Sequence, residues 1–178
     1  MNKKAISKLL IVGLVVVIVV ASGAVAYWML TNPAGTGEQT GGETAPNVAG
    51  ANSLQFDVIA TIQGAQEKYQ FWAKNLGTQN LMMRVELTDA HGEVFKFIIN
   101  SAEHKVWVYY EGGWTDMSEQ FTTYWDQWKP AFDEYKSNLE NWSGTGDYEY
   151  TANGNTFKIT NIHVNPTLPD SLFQAGTN

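Results

Sequence analysis

Between Leu54 and Met117 the chain consists of short segments in which apolar and polar residues alternate, separated by turn residues. Period-two segments at hairpin spacing predict an antiparallel β-meander. Six strands are predicted, at 54–63, 67–75, 80–88, 93–100, 105–110 and 114–117. Several of them are apolar on both faces, which is unusual for an antiparallel sheet with one solvated face. We therefore expect that something covers the second face, or that this face lines a cavity.

A helical segment follows the six strands and is the predicted cover. Asp116 is expected to cap this helix, with Glu119 in the capping-box position. Pro130 interrupts the segment and predicts either a kink or two short helices. Residues 148–152 and 156–164 then predict a closing hairpin around an Asn-Gly turn. The apolar residues of the helical segment recur every three or four positions, as in an amphipathic helix: Phe121, Tyr124, Trp125, Trp128, Phe132, Tyr135, Leu139 and Trp142.

The N-terminal part of the chain has a different composition. Residues 9–30 form an uncharged apolar run of about 33 Å if helical, enough to span a bilayer. Three lysines lie within 1–8 and the next basic residue is Lys68, which predicts a cytoplasmic N-terminus and an extracytoplasmic main domain. We favour an uncleaved, single-pass membrane anchor. The alternatives are a signal sequence cleaved after Ala24-Val25-Ala26, which would give a secreted protein, and a pilin-type leader.

Residues 31–52 are rich in Gly, Thr, Ala, Pro and Asn and contain no aromatic residue, so they predict a flexible linker. The folded domain is then expected to cover 53–178. All 18 acidic residues but only eight of the 11 Lys and Arg lie beyond Leu30, which gives this part a net charge of −10. Such an acidic exterior argues against nucleic acid and anionic membrane surfaces as partners, although solubility alone also explains it.

Few residues point to catalysis. The absence of cysteine excludes disulfides, thiolate catalysis and sulfur-ligated metals. His91, His104 and His163 are not at metal-ligand spacing. The sequence contains no phosphate-binding glycine loop and no nucleophile elbow. We therefore expect a protein that is not an enzyme, with neither a cofactor nor a metal.

The order of strands, aromatic helix, strands and C-terminal hook resembles the lipoprotein-carrier (LolA and LolB-like) superfamily. The matching stretches are "LMMRVELTDAHGEVFKFIIN", "KVWVYYEGGWTDMS" and "FKITNIHVNPTLPDSLFQ". The chain looks most similar to membrane-anchored archaeal members. The resemblance implies an α+β fold in which a strongly curved antiparallel sheet, an incomplete β-barrel, has the kinked helical segment on its concave face. We expect an N-terminal transmembrane helix in addition to this domain. In the hook, Leu172 and Phe173 are expected to fold back and plug an end of the barrel.

Two functions are compatible with these patterns. A sheet that is apolar on both faces, with an aromatic cover, suggests a membrane-tethered module that binds a lipid or another hydrophobic ligand. The alternative is a non-catalytic structural or interaction module of a cell-surface assembly, whose aromatic residues only fill a sealed core. The candidate lining residues of the hydrophobic cavity are Met82, Phe97, Trp107, Tyr109, Phe121, Trp125, Trp128 and Phe132.

Overall fold

The computed structural model describes residues 46–176 and contains one antiparallel sheet of eight strands. The spatial order of the strands is β6-β5-β4-β3-β2-β1-β8-β7, so β6 and β7 are the edges and the curved sheet does not close into a barrel. This confirms the predicted antiparallel meander and its closing hairpin. The strands are β1 Ser53–Ile62, β2 Ala65–Lys74, β3 Met82–Thr88, β4 Val94–Asn100, β5 Lys105–Tyr110, β6 Gly113–Asp116, β7 Tyr148–Ala152 and β8 Asn155–Val164.

The strand register divides the sheet into two faces. Phe56, Phe71, Val85, Phe97 and Val108 lie opposite one another across β1 to β5, and all five are buried. Directly paired residues point to the same face, and each strand alternates between the faces. We call the face that carries this row the inner face, and the opposite one the outer face.

Among the described residues there is one α-helix, α1 (Phe121–Leu139), and it packs on the inner face. Phe132 stacks on Phe56 at 5.8 Å between ring centroids, and Trp128 lies 4.9 Å from Phe97. The predicted aromatic helix over the sheet is therefore present. The alternative of two short helices is wrong, because α1 continues through Pro130. Proline inside a helix costs about 3 kcal/mol, and the packing of Trp128 and Phe132 on either side of it offsets that cost.

The start of the helix also differs from the prediction. Asp116 Oδ1 accepts hydrogen bonds from the Ser118 hydroxyl at 2.5 Å and from the Ser118 backbone N–H at 2.9 Å, but the N-cap residue of the 3₁₀ turn Ser118–Gln120 is Met117. These hydrogen bonds from Ser118 hold the pKa of Asp116 below its usual value. Helix α1 begins only after this turn, at Phe121, and no side chain caps its first turn. The predicted capping box with Glu119 does not form.

The packed chain begins before β1. Val48 and Ala51 are 3% and 5% exposed and belong to the core between sheet and helix. The backbone N–H of Asn52 donates to Asn165 Oδ1 at 2.7 Å, which joins this segment to the end of β8. Residues 46–52, predicted as the last part of the linker, thus pack on the domain. The rest of that linker, 31–45, the predicted membrane segment 9–30 and the basic segment 1–8 lie outside the described residues.

The C-terminal hook lies on the outer face. The carbonyl oxygen of Leu172 accepts a hydrogen bond from Arg84 Nη1 at 3.0 Å, and Lys74 Nζ lies 4.8 Å from the centre of the Phe173 ring. Both Lys74 and Arg84 point outward, since their neighbours Ala73 and Met83 point inward. Leu172 and Phe173 do fold back as predicted. They cover part of the outer face of β3 and β4, however, rather than plugging an end of the barrel.

Candidate functional site

An open cleft of about 490 Å³ lies at one end of the domain, beside helix α1. Three stretches of chain form its walls: residues 49–51, the β2–β3 connection and one side of α1. The volume falls within the range of about 300–1,000 Å³ that is typical of ligand pockets. Its lining residues are Ala49, Gly50, Ala51, Leu76, Gly77, Thr78, Leu81, Trp125, Lys129, Phe132, Asp133 and Lys136.

The apolar part of the cleft comes from both the helix and the loop. Trp125 is half-buried and stacks on Phe121 with 5.6 Å between ring centroids. Phe132, about two helical turns further along α1, joins the cleft to the core. Leu76 and Leu81 face them from the β2–β3 connection. The cleft therefore exposes apolar surface of Trp125 and Leu76, with the buried side chains of Phe132 and Leu81 behind them.

The charged groups of the cleft all belong to α1. Lys129 forms an ion pair with Asp133, and Lys136 Nζ lies 3.3 Å from both Glu140 Oε1 and the carbonyl oxygen of Ala49. Residues 49–51 and the lining residues of the β2–β3 connection carry no charge. Two ammonium groups and one carboxylate therefore line the cleft.

Two of the eight predicted lining residues line this cleft, a third lies beside it, and two lie in the core. Trp125 and Phe132 line the cleft, and Phe121 stacks on Trp125 beside it. Phe121 also stacks on the imidazole of His104, 4.9 Å away. Phe97 and Trp128 are buried against each other under the helix and fill the core. The centre of the inner face is thus packed by side chains.

The other three predicted residues lie on the outer face. Met82, Trp107 and Tyr109 alternate with inward-pointing core residues of β3 and β5. Tyr109 contacts Trp114 at 5.5 Å, and Lys105 lies over the Trp107 ring at 5.5 Å. The eight residues therefore do not line one cavity. Successive residues of a strand point to opposite faces. Phe97 is on the inner face and Met82, Trp107 and Tyr109 are on the outer face, so the sheet lies between them.

Sequence reasoning did not find most of the cleft. Leu76 and Leu81 flank a polar turn, and the composition of residues 49–51 predicts a linker. The one available signal was the spacing of Lys129 and Lys136, seven residues apart, which places both on the same side of α1 as Trp125 and Phe132. That signal is weak, because lysines seven residues apart are also common on solvated helix faces that bind no ligand.

Several buried polar atoms lie on another part of α1. Tyr124 Oη, Gln127 Nε2 and Trp128 Nε1 are buried and make no hydrogen bond among the described residues. Burial raises the pKa of the Tyr124 hydroxyl, and it also raises the pKa of the Glu134 carboxyl further along the helix. Tyr124 and Trp128 contact Phe97, so these two side chains face the core and not the cleft.

Within residues 46–176, no group of three or more acidic or histidine side chains is placed to hold a metal ion. The same part of the chain contains no helix that is both long and apolar enough to cross a bilayer. In comparisons with known proteins, no family model, no curated protein and no solved structure matches this chain.

Proposed function

We propose that this protein is a membrane-tethered, extracytoplasmic module of the lipoprotein-carrier type that binds a lipid or another hydrophobic ligand in the cleft beside α1. It acts without catalysis, at the cell surface, in the handling of lipids or lipoproteins. The observation that carries the proposal is an open cleft of about 490 Å³ with Trp125, Phe132, Leu76 and Leu81 in its walls. Sites for amphiphilic ligands combine apolar walls with a small number of polar groups that fix the orientation of the ligand.

A second candidate function rests on a different observation. The centre of the inner face is filled, since Phe56, Phe71, Phe97 and Phe132 are at most 1% exposed. A filled centre favours a structural or interaction module with a sealed core, the function in which no ligand enters the domain. The two functions differ in whether the cleft takes up an apolar molecule.

Binding of a dansyl-labelled fatty acid to the full chain in nanodiscs tests the proposal, with empty nanodiscs as the blank. We expect saturable binding that Trp125→Ala weakens several-fold, because the indole forms a wall of the cleft. Trp107→Ala is the matched control, since Trp107 lies on the outer face and should leave binding unchanged. An absence of saturable binding would favour the structural module. Equal losses in both variants would place the site outside the cleft.

The membrane tether is tested separately. The length of the apolar run 9–30 and the lysines before it predict that the mature protein retains this segment. N-terminal sequencing of protein extracted from membranes should therefore find no cleavage after Ala26. A mature chain that begins at Tyr27 would replace the anchor with a cleaved signal sequence and make the domain a secreted one.

A further inference from the structure

From the charges around the cleft we propose that its ligand is a single-chain amphiphile with a compact anionic head group, such as a carboxylate or a phosphate. This inference rests on the proposed function and specifies the class of ligand for the same site. It concerns where positive charge lies in a chain that is otherwise acidic, with a formal net charge of −7.

Positive charge is concentrated in the lining of the cleft. Only eight Lys and Arg lie beyond Leu30, and two of them, Lys129 and Lys136, line this cleft. Asp133 is the one acidic residue in the lining, and the two walls that do not belong to α1 are uncharged. The lining residues themselves thus carry a net positive charge within an acidic domain, with the Glu140 carboxylate just outside the lining beside Lys136. That pattern favours an anionic ligand over a neutral or cationic one.

The two lysines of the cleft retain hydrogen-bond donors for a ligand. A lysine ammonium has three N–H donors. Among the described residues, Lys129 directs a hydrogen bond to Asp133 alone, while Lys136 directs hydrogen bonds to Ala49 O and Glu140. Each ammonium therefore has at least one N–H left for a head-group oxygen. The existing carboxylate partners hold the two amines in place and would share them with the ligand.

The charges of the cleft lie next to its apolar surface. Lys129 and Lys136 lie two turns apart on α1, about 10 Å along the axis. Trp125 and Phe132 lie on the same side of the helix, one turn before each lysine. A ligand that lies along this side of α1, on the half-buried Trp125 ring, therefore has an ammonium next to either end. The volume, in the lower half of the usual pocket range, suits one chain better than two.

The test compares three probes that share a ten-carbon chain and differ in head-group charge: decanoate, decanol and decylammonium. Calorimetric titration uses the full chain in phosphatidylcholine nanodiscs, with empty nanodiscs subtracted. We expect decanoate to bind saturably and at least about fivefold more tightly than decanol, as two partly exposed charge contacts would allow. Decylammonium should bind most weakly. In the double variant Lys129→Gln/Lys136→Gln, the affinity for decanoate should fall to that for decanol.

Lys158→Gln is the matched control, because Lys158 is an ion-paired lysine on β8 that does not line the cleft. It should leave all three affinities unchanged. If the double variant does not fold, the wild type still provides a test. Its affinity for decanoate should weaken between 0.05 and 0.5 M salt, while its affinity for decanol should not, because salt screens exposed charges.

The outcomes separate this inference from the proposed function. If decanol binds as tightly as decanoate, and salt affects neither, the head-group assignment is overturned while the hydrophobic site stands. If none of the three probes binds saturably, the proposed function itself is overturned. Tighter binding of decylammonium would show that Asp133 and Glu140 dominate the field of the cleft, which would also refute the inference.

Discussion

Truncation of Trp128 tests how helix α1 is held on the sheet. The indole is 3% exposed and contacts Tyr69, Phe71 and Phe97 at centroid distances of 6.3, 6.4 and 4.9 Å. Replacing a buried aromatic residue with alanine usually costs about 3–5 kcal/mol. Because Trp128 Nε1 is buried without a hydrogen-bond partner, its removal returns part of that cost. For Trp128→Ala we therefore expect a loss of about 3 kcal/mol in the free energy of unfolding.

Trp125→Ala is the comparison on the same helix. Trp125 is half-buried, lines the cleft and stacks only on Phe121 among the ring contacts of the described residues. Its truncation should cost about 1 kcal/mol. Urea unfolding of both variants, monitored by far-ultraviolet circular dichroism, measures the two losses in free energy of unfolding. The m-value should be the same for both variants and the wild type.

Trp128→Phe refines the same test, because it keeps an aromatic ring in the core and removes the unpartnered N–H. Its cost should stay below about 1.5 kcal/mol. Equal losses for Trp125→Ala and Trp128→Ala would mean that Trp125 belongs to the core and that the cleft is not open in solution. A loss below 1 kcal/mol for Trp128→Ala would refute the packing of α1 described above.

Three further predictions concern other parts of the fold. A chain that starts at Ser53 lacks the two buried side chains of the preceding segment, so it should be about 2–3 kcal/mol less stable to urea than a chain that starts at Pro46; equal stability would restore the boundary predicted from composition. Phe173→Ala should cost about 3 kcal/mol, since this ring is buried on the outer face, whereas the exposed Thr167→Ala should change stability by less than about 0.5 kcal/mol. Burial raises the pKa of Glu134 above its ordinary value of 4.5, so the wild type should lose stability relative to Glu134→Gln as the pH rises from 4 to 7; a difference that stays constant or grows in favour of the wild type would contradict this burial.

The strands could be predicted from the sequence because their signals are local. Alternation in Leu54–Ile62 and the turn residues at Asp89–Gly92 depend on neighbouring residues only, and the structure places strands and hairpins there. The helical stripe was equally local. The continuity of the helix through Pro130 could not be predicted locally, because the contacts that offset the cost of the proline involve strands distant in sequence.

The candidate site was the least predictable part. Alternation separates Phe97 from Ile98, and Trp107 from Val108, but it does not say which set faces the helix. The register pairs Phe97 with Val108 and Ile98 with Trp107, so Phe97 and Trp107 point to opposite faces of the sheet. The cleft itself combines a loop, a helix and residues 49–51, whose compositions give no hint that they meet.

The sequence by itself determined the antiparallel meander, the aromatic helix and the closing hairpin, because periodicity and turn chemistry act over a few residues. Only the tertiary structure decided which face is inner, that the C-terminal hook covers the outer face, and that one cleft remains open beside α1. These outcomes depend on how side chains distant in sequence fill a shared volume. Such close packing is decided by the whole set of contacts at once and not by any segment.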